Sequence, residues 1–568
     1  MEKFDLRRTS HGYQLNVPMS GSSLLRFPLY NKGTAFTAEE RKRFQLEGLL
    51  PSQHNDIDTQ SRRIFRTIMF NRDPVGRHID LAALQDRNEH LYYKVLSENL
   101  EDLMPIVYTP TVGKASQYYS RVFRRARGIW ITPDHAGRVE QVLRDAAPFS
   151  DVQLMVVTDN ESILGIGDQG AGGMAISVGK LALYVAGAGI HPVRTLPISL
   201  DVGTDNQSLL DDRLYLGLRK PRLRGEKYRQ LVDEFVKAAR AVFPEVVIQW
   251  EDFRKENALQ ILDRYRHEVP SFNDDIQGTG AVALACMLAA SRISGRNIAN
   301  ERVLIFGAGA AGLGIARQIS NELQSAGLDG TALREAVLTM DSRGVISEGR
   351  ELDAYKKELA WPVELAAKLG LNDQQAKTLA RVVAAYKPTV LIGTSGQRGA
   401  FDEETIRTMD AATETPVVLP LSNPTAISEA EPENVLRWTE GRALVATGSP
   451  FDDVPMRGGV QRIGQANNVF IFPGLGLGTI VSRASEVTRA MINASAHALA
   501  ESLDDDEISG RCLMPEVSRL WDVSGNVALA VGRQAIEDGV ADRISADELE
   551  ERINDYRWKP EYPEMIRE

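Results

Sequence analysis

The chain has 568 residues, of which 43% are hydrophobic and 25% charged, with a formal net charge of −11. That length predicts several structural units of roughly 100–200 residues each. The acidic balance excludes a nucleic-acid partner, which needs clustered positive charge, and leaves room for a small anionic substrate at a local basic site.

The start, MEKFDLRRTS, carries early acids and no apolar core segment, so it reads as neither a secretory nor a transit peptide. Residues 35–126 read as helical. In FTAEERKRFQLEGLLP, Thr37 and Glu40 have capping-box spacing, and 82–104 shows apolar spacing near 3.6. From about Val152, short β-rich runs (QLMVVTD, TLPISLDVG, EVVIQW) alternate with helical ones (MAISVGKLALYVAGAG, GEKYRQLVDEFVKAARAVF), which predicts parallel βαβ architecture. A second β/α series begins at RVLIFGAG and continues through AVLTMDSRG, PTVLIGTSG and TPVVLPLSNP. Residues 485–568 are again mostly helical, with Asp504–Glu507 expected as a solvated loop. The longest apolar stretch, near Ala281–Ala290, is too short to span a bilayer. Cys286 and Cys512 form no CxxC, and Cys286 reads as an inert core residue. These features predict a cytoplasmic α/β protein with no membrane partner.

Two acidic pairs lie beside apolar segments: Glu251–Asp252 ends the strand-like run Val246–Ile248, and Asp274–Asp275 follows Phe272. Unpaired carboxylates are costly to bury, whereas converging oxygen ligands suit a hard divalent cation. GxGxxG occurs twice. At Gly307, Gly309 and Gly312 a compact strand runs into the first glycine and a helix follows through Ala310 and Ala311. The next strand ends at Asp341, placed for ribose hydroxyls; this is the dinucleotide candidate. The copy at Gly165, Gly167 and Gly170 holds Asp168, which would repel a pyrophosphate, and reads as a close-packed turn lining a substrate cleft. Asp341 favours NAD, while Ser342, Arg343, Lys356 and Lys357 could receive the 2′-phosphate of NADP. Lys180 lies on an otherwise almost uncharged helix, where desolvation suits a general base. Tyr108 sits in a Pro-bounded loop. Asn423 ends the run VVLPL, where ligands gather in open α/β sheets, and Asn467 and Asn468 precede an expected apolar strand, VFIFP.

Together these segments resemble the malic enzyme family. The resemblance rests on YTPTVG (108–113), TDNESILGIGDQGAGGMAISVGKLALY (158–184), SLDVGTDN (199–206), WEDF (250–253) and FNDDIQGTG (272–280). It continues through FGAGAAGLGIA (306–316), LIGTSGQ (391–397), LSNPT (421–425), ATGSPF (446–451) and GQANNVFIFPG (464–474), and spans about residue 33 to the C-terminus. It implies oxidative decarboxylation of (S)-malate to pyruvate and CO2 with NAD, NADP being the other possibility, and with Mg2+ or Mn2+. Glu251, Asp252 and Asp275 correspond to the metal ligands, Lys180 to the base, Tyr108 to the acid and Asp274 to the lysine's supporting acid. Asn423 and one of Asn467 or Asn468 correspond to amides on the malate carboxylates and the nicotinamide. The implied architecture is a helical domain (1–126), a central α/β domain (127–273 with 469–535), a Rossmann-type domain (274–468) and a helical tail (536–568), in a homodimer or homotetramer. One departure stands out: the family's arginine in TDxERILG is Ser162 here, which removes a bidentate carboxylate clamp. Malolactic enzymes, which make lactate from malate with retained NAD, also lack it, as do some bacterial malic enzymes, so the departure bears on the product and not on the substrate. A non-catalytic dinucleotide-binding regulator is the remaining alternative.

Overall fold

The computed structural model describes residues 4–9, 12–163, 165–371, 377–457 and 459–567. The chain divides into two compact units, Met1–Phe253 with Glu551–Glu568, and Arg254–Glu550.

In the first unit, helices Ile57–Phe70, Pro74–Gln85, Glu89–Glu98 and Leu100–Val107 lead into parallel strands ordered Ile129–Ile131, Thr195–Leu200, Leu154–Thr158 and Val247–Glu251. Strands 154–158 (LMVVT) and 247–251 (VIQWE) are buried at every position, as strands of a parallel sheet covered on both faces are. Thr158 pairs with both Ser199 and Glu251, so the carboxyl ends of three strands finish level. Thr37 and Glu40 form the predicted capping box. The single helical stretch expected over 82–104 is instead broken, because Asn88 caps one helix through Leu91 N and the chain bends again at Asn99. One feature escapes sequence reading. The segment Glu564–Ile566 pairs in parallel with Gly12–Asn16, itself antiparallel to Leu6–Thr9. Met565 and Trp558 are thereby buried, Met565 in a cluster with Phe4, Leu15 and Phe44.

The second unit carries a seven-stranded sheet ordered Gly344–Val345, Val337–Asp341, Val303–Phe306, Val390–Gly393, Val417–Pro420, Leu444–Thr447 and Gly464–Gln465. All pairings are parallel except the first. Two expectations need correcting here. VFIFPGLGLGTIV is no strand: Phe472–Val481 is a helix with all ten residues buried. A helix apolar all round loses its amphipathic signature, and its glycines admit a neighbour: a Cβ on Gly478 would lie 2.5 Å from Ala528 O. The acidic run is no solvated loop either. Asp504 caps a short helix, and Glu507 is buried against Arg519 and Arg462. Two apolar helical stretches, Gly170–Ala188 and Asp274–Ser294, are longer than the sequence suggests and pass a length-and-composition test for crossing a membrane. Their most apolar windows are 89% and 67% buried within the fold, as core helices are. Both cysteines are buried, and burial pushes the Cys286 thiol up to about 12.

Candidate active site

The predicted residues fall into two groups, one in each unit. In the first unit, Lys180 is 1% exposed on helix Met174–Leu183. Its Nζ lies 3.0 Å from Glu251 Oε1 and 5.3 Å from the centre of the Tyr108 ring. Local packing explains this placement. Tyr108 ends helix Leu100–Val107, and a Cβ on Gly179 would lie 2.5 Å from Val107 O, so only glycine lets the two helices meet there. Glu251 ends its strand and also accepts from Gln249 Nε2 at 2.7 Å; Gln249 in turn accepts from the Tyr184 hydroxyl. Gln249 was not singled out from sequence; its only signal is a polar residue inside an apolar strand. Asp252 turns the chain with φ 58° and is buried like Glu251. Its carbonyl accepts from the Ser162 amide at 2.9 Å. Ser162 itself is exposed, with Leu164 outside the described residues.

The loop after Ser162 packs closely only from Gly170 onward: Gly165 and Gly167 are exposed, and a Cβ on Gly167 would meet nothing within 4 Å. A Cβ on Gly172 or Gly173 would lie 2.4 Å from Ser116 O or 2.2 Å from Asn160 Oδ1. Asp168 does not face a phosphate. It binds Arg222 bidentately at 2.7 Å and accepts the Gly170 and Asp205 amides at 2.9 Å. Burial alone would raise the Asp168 carboxyl, but Arg222 and these amides carry it below the usual range. Arg222, missed in the sequence reading, is therefore the anchor of this loop.

In the second unit, the strand Val303–Phe306 runs into Gly307, whose φ is +132° and whose Cβ would lie 2.5 Å from Thr394 O. A Cβ on Gly312 would lie 2.0 Å from Gly307 O, whereas one on Gly309 would meet nothing within 4 Å. The open side of the loop is thus at Gly309, which starts helix Ala310–Ser325 through Ala310 and Ala311. A helix N-terminus behind a bare glycine turn suits a pyrophosphate. Asp341 ends the next strand and accepts from Arg350 at 2.8 and 3.0 Å and from Lys356 at 2.8 Å. Burial opposes ionisation of Asp341, and these two cations outweigh it, so its pKa falls. Arg350 lies nine residues away in a loop and left no sequence signal, while Ser342 and Arg343 are exposed.

Asp274 is fully buried, and its Oδ2 accepts from Asn468 Nδ2 at 2.9 Å, an amide that also reaches Thr279 at 3.1 Å. Asp275 is half-buried. A Cβ on Gly314 would lie 2.0 Å from Ile276 O, so the glycine-loop helix presses directly on the turn that carries both aspartates. Asn423 accepts from the Ser449 hydroxyl. Asn467 spends its side chain on the Val469 amide, capping its own turn at 2.9 Å; of the amide pair, Asn468 is the one that meets another predicted residue.

A doubly wound dinucleotide-binding sheet, together with a second parallel sheet ending in buried carboxylates and a buried lysine, defines an NAD-dependent oxidoreductase. The chain is matched by family models for the malic enzyme N-terminal domain over residues 85–266 and the malic enzyme NAD-binding domain over 276–536. It is 45% identical over 554 residues to the NAD-dependent malic enzyme of Sodalis glossinidius, covering 97% of this chain and 98% of that one. It is 44% identical to the NAD-dependent malic enzyme of Acinetobacter baylyi, covering 97% of each. Among solved structures, the malic enzyme of Entamoeba histolytica shares the fold, with a TM-score of 0.56 and 23% identity over 90% of this chain and 91% of that one. The chain belongs to the malic enzyme family.

Proposed function

We propose that this chain oxidatively decarboxylates (S)-malate to pyruvate and CO2, reducing NAD+. The observation that carries the reading is the buried Lys180 held 3.0 Å from Glu251 and facing Tyr108, in a chain whose near-full-length relatives are named NAD-dependent malic enzymes. The glycine turn at Gly307–Gly312 would hold NAD+, which would supply the hydride acceptor, and Glu251, Asp252 and Asp275 would hold Mg2+ or Mn2+, which would supply Lewis-acid polarisation of the developing carbonyl. Buried, adjacent Glu251 and Asp252 offer only hard oxygen donors, which fits such a cation; Asp275 is the third ligand proposed. Lys180 takes the C2 hydroxyl proton. Loss of CO2 leaves an electron pair at C3, and Tyr108 protonates it. The proton taken by Lys180 recharges Tyr108, so the protein ends the cycle as it began. Asp274 and Asn468 hold each other in the second unit, and Asn423 with one of Asn467 or Asn468 supplies the amides proposed for malate and nicotinamide. Of the two, Asn467 has only its oxygen committed, to the Val469 amide, and keeps its Nδ2 donors for a carboxylate, whereas Asn468 Nδ2 already serves Asp274 and Thr279.

NAD is supported by the relatives named NAD-dependent malic enzymes; Asp341, at the end of its strand, is neutralised by Arg350 and Lys356 and also accepts the Arg343 amide, so ribose hydroxyls would take over acceptor sites these groups now occupy. The proposal includes a cytoplasmic enzyme working as a homodimer or homotetramer. A second reading, malolactic activity, is favoured by one observation: Ser162 stands where the family's arginine would clamp a carboxylate. Incubation with malate, NAD+ and Mn2+ separates the two. Equimolar NADH and pyruvate support oxidative decarboxylation, whereas lactate without free NADH supports the other. No malate consumption under any metal would reject both.

A further inference from the structure

Glu429 is fully buried and has no cationic partner among the described residues. Its carboxylate instead collects five neutral donors. Oε1 accepts from Ser395 N at 2.7 Å, Ser395 Oγ at 2.9 Å, Gly396 N at 3.2 Å and Ser422 Oγ at 2.5 Å, and Oε2 accepts from Ser422 N at 3.3 Å. A buried charge without a counter-ion is costly, and a carboxylate satisfied wholly by amides and hydroxyls is a rigid clamp. Everything it holds lies on two loops. One follows strand Val390–Gly393 and the other follows Val417–Pro420, at the strand ends where a dinucleotide lies in an open α/β sheet. The first of these loops also touches the glycine turn: Thr394 Oγ1 donates to Gly307 O at 3.3 Å and Thr394 N to Phe306 O at 2.9 Å. Ser422 directly precedes Asn423. Gly393 is glycine for the same reason, since its Cβ would lie 2.6 Å from Glu429 Cδ.

We infer that Glu429 is a positioning residue for the cofactor: it touches no substrate, and it fixes the 394–396 and 421–423 loops against the glycine turn in the geometry that NAD requires. The inference rests on the NAD site assigned above. Glutamine replaces it only in part: its oxygen can take the four donors now on Oε1, but its NH2 then faces Ser422 N, itself a donor, and the charge is lost, whereas aspartate keeps both acceptor oxygens and the charge.

The test is NADH binding to the full-length enzyme at 25 °C, followed by nicotinamide fluorescence alongside circular dichroism and thermal unfolding. E429Q is expected to fold and to weaken the Kd by about tenfold or more, with E429D recovering most of the loss. A folded E429Q whose Kd stays within about twofold of the parent would overturn the inference, as would E429D binding no better than E429Q. If E429Q does not fold, the double variant Ser395→Ala, Ser422→Ala takes its place, since it removes two donors and leaves the charge; an unchanged Kd there would equally overturn it. Failure of the parent enzyme itself to bind NADH would instead reject the NAD site.

Discussion

At the scale of single residues, the chemistry rests on where a few charges are held. Lys180 was visible in the sequence as the lone charge on an apolar helix, and the fold buries it beside Glu251. The contact with Glu251 was not visible, because the two residues are 71 positions apart and meet only through the fold; the acid that the resemblance assigned to the lysine was Asp274. Lys180→Ala should lower kcat by about 10²–10⁴-fold and flatten the pH–rate profile. An unchanged profile would remove Lys180 as the base. Asp275→Asn should leave the fold intact and abolish Mn2+-dependent turnover, and calorimetric titration with Mn2+ should show the lost site; normal titration would remove Asp275 from the ligand set. The roles of polar side chains were the least legible. Asn467 and Asn468 are identical neighbours in sequence, yet one caps its own turn while the other reaches Asp274. Only the local backbone direction separates them.

Elements were legible where one period dominated. The buried strands ending at Thr158, Phe306 and Gly393 fall inside runs that sequence reading marked, and the one ending at Glu251 runs a single residue past EVVIQW. Phe472–Val481 did not, because an apolar run of that length has no period to distinguish a buried helix from a strand. The glycines inside these elements carry more meaning than their loops suggest. Gly314 looks like a helix interior position, where alanine would ordinarily be the better helix former. Here its Cβ would sit 2.0 Å from a backbone carbonyl of the Asp274–Asp275 turn. Gly314→Ala should therefore destabilise by about 1–3 kcal/mol, read by urea denaturation of the enzyme. A neutral or stabilising effect would show that the contact relaxes at no cost. Gly179→Ala tests the matching contact with Val107 in the first unit: the helix must shift, and kcat should fall more than stability does.

For the molecule as a whole, acid sensitivity follows from histidines held neutral. Burial depresses His90 to about 3 and carries His191 well below its usual value. Lys32 and the neighbouring imidazole press in the same direction, and Trp558 packs edge-on against both rings. A histidine depressed in the fold is protonated first in the unfolded chain. Its contribution is therefore complete above pH 6.5 and is lost as pH falls below 6.5, for His90 down to about 3, at about 1.4 kcal/mol per pH unit for each imidazole. Asp159, which burial pushes up to about 6, acts in the opposite sense over part of that range. The comparison of interest is thus between variants. His90→Asn should reduce the slope of unfolding free energy against pH between 6 and 5 by about 1.4 kcal/mol per unit, and parallel slopes would refute the assignment. The same histidines lie against the tail, and the tail has a consequence for how the molecule is made. Gln14 pairs with Glu564, 550 residues later. At about 5–20 residues per second, a ribosome needs roughly half a minute to two minutes to join those two ends. Throughout that interval the apolar face made by Phe4, Leu15 and Phe44 waits for Met565, so a surface synthesised early is covered only after 550 further residues have been added.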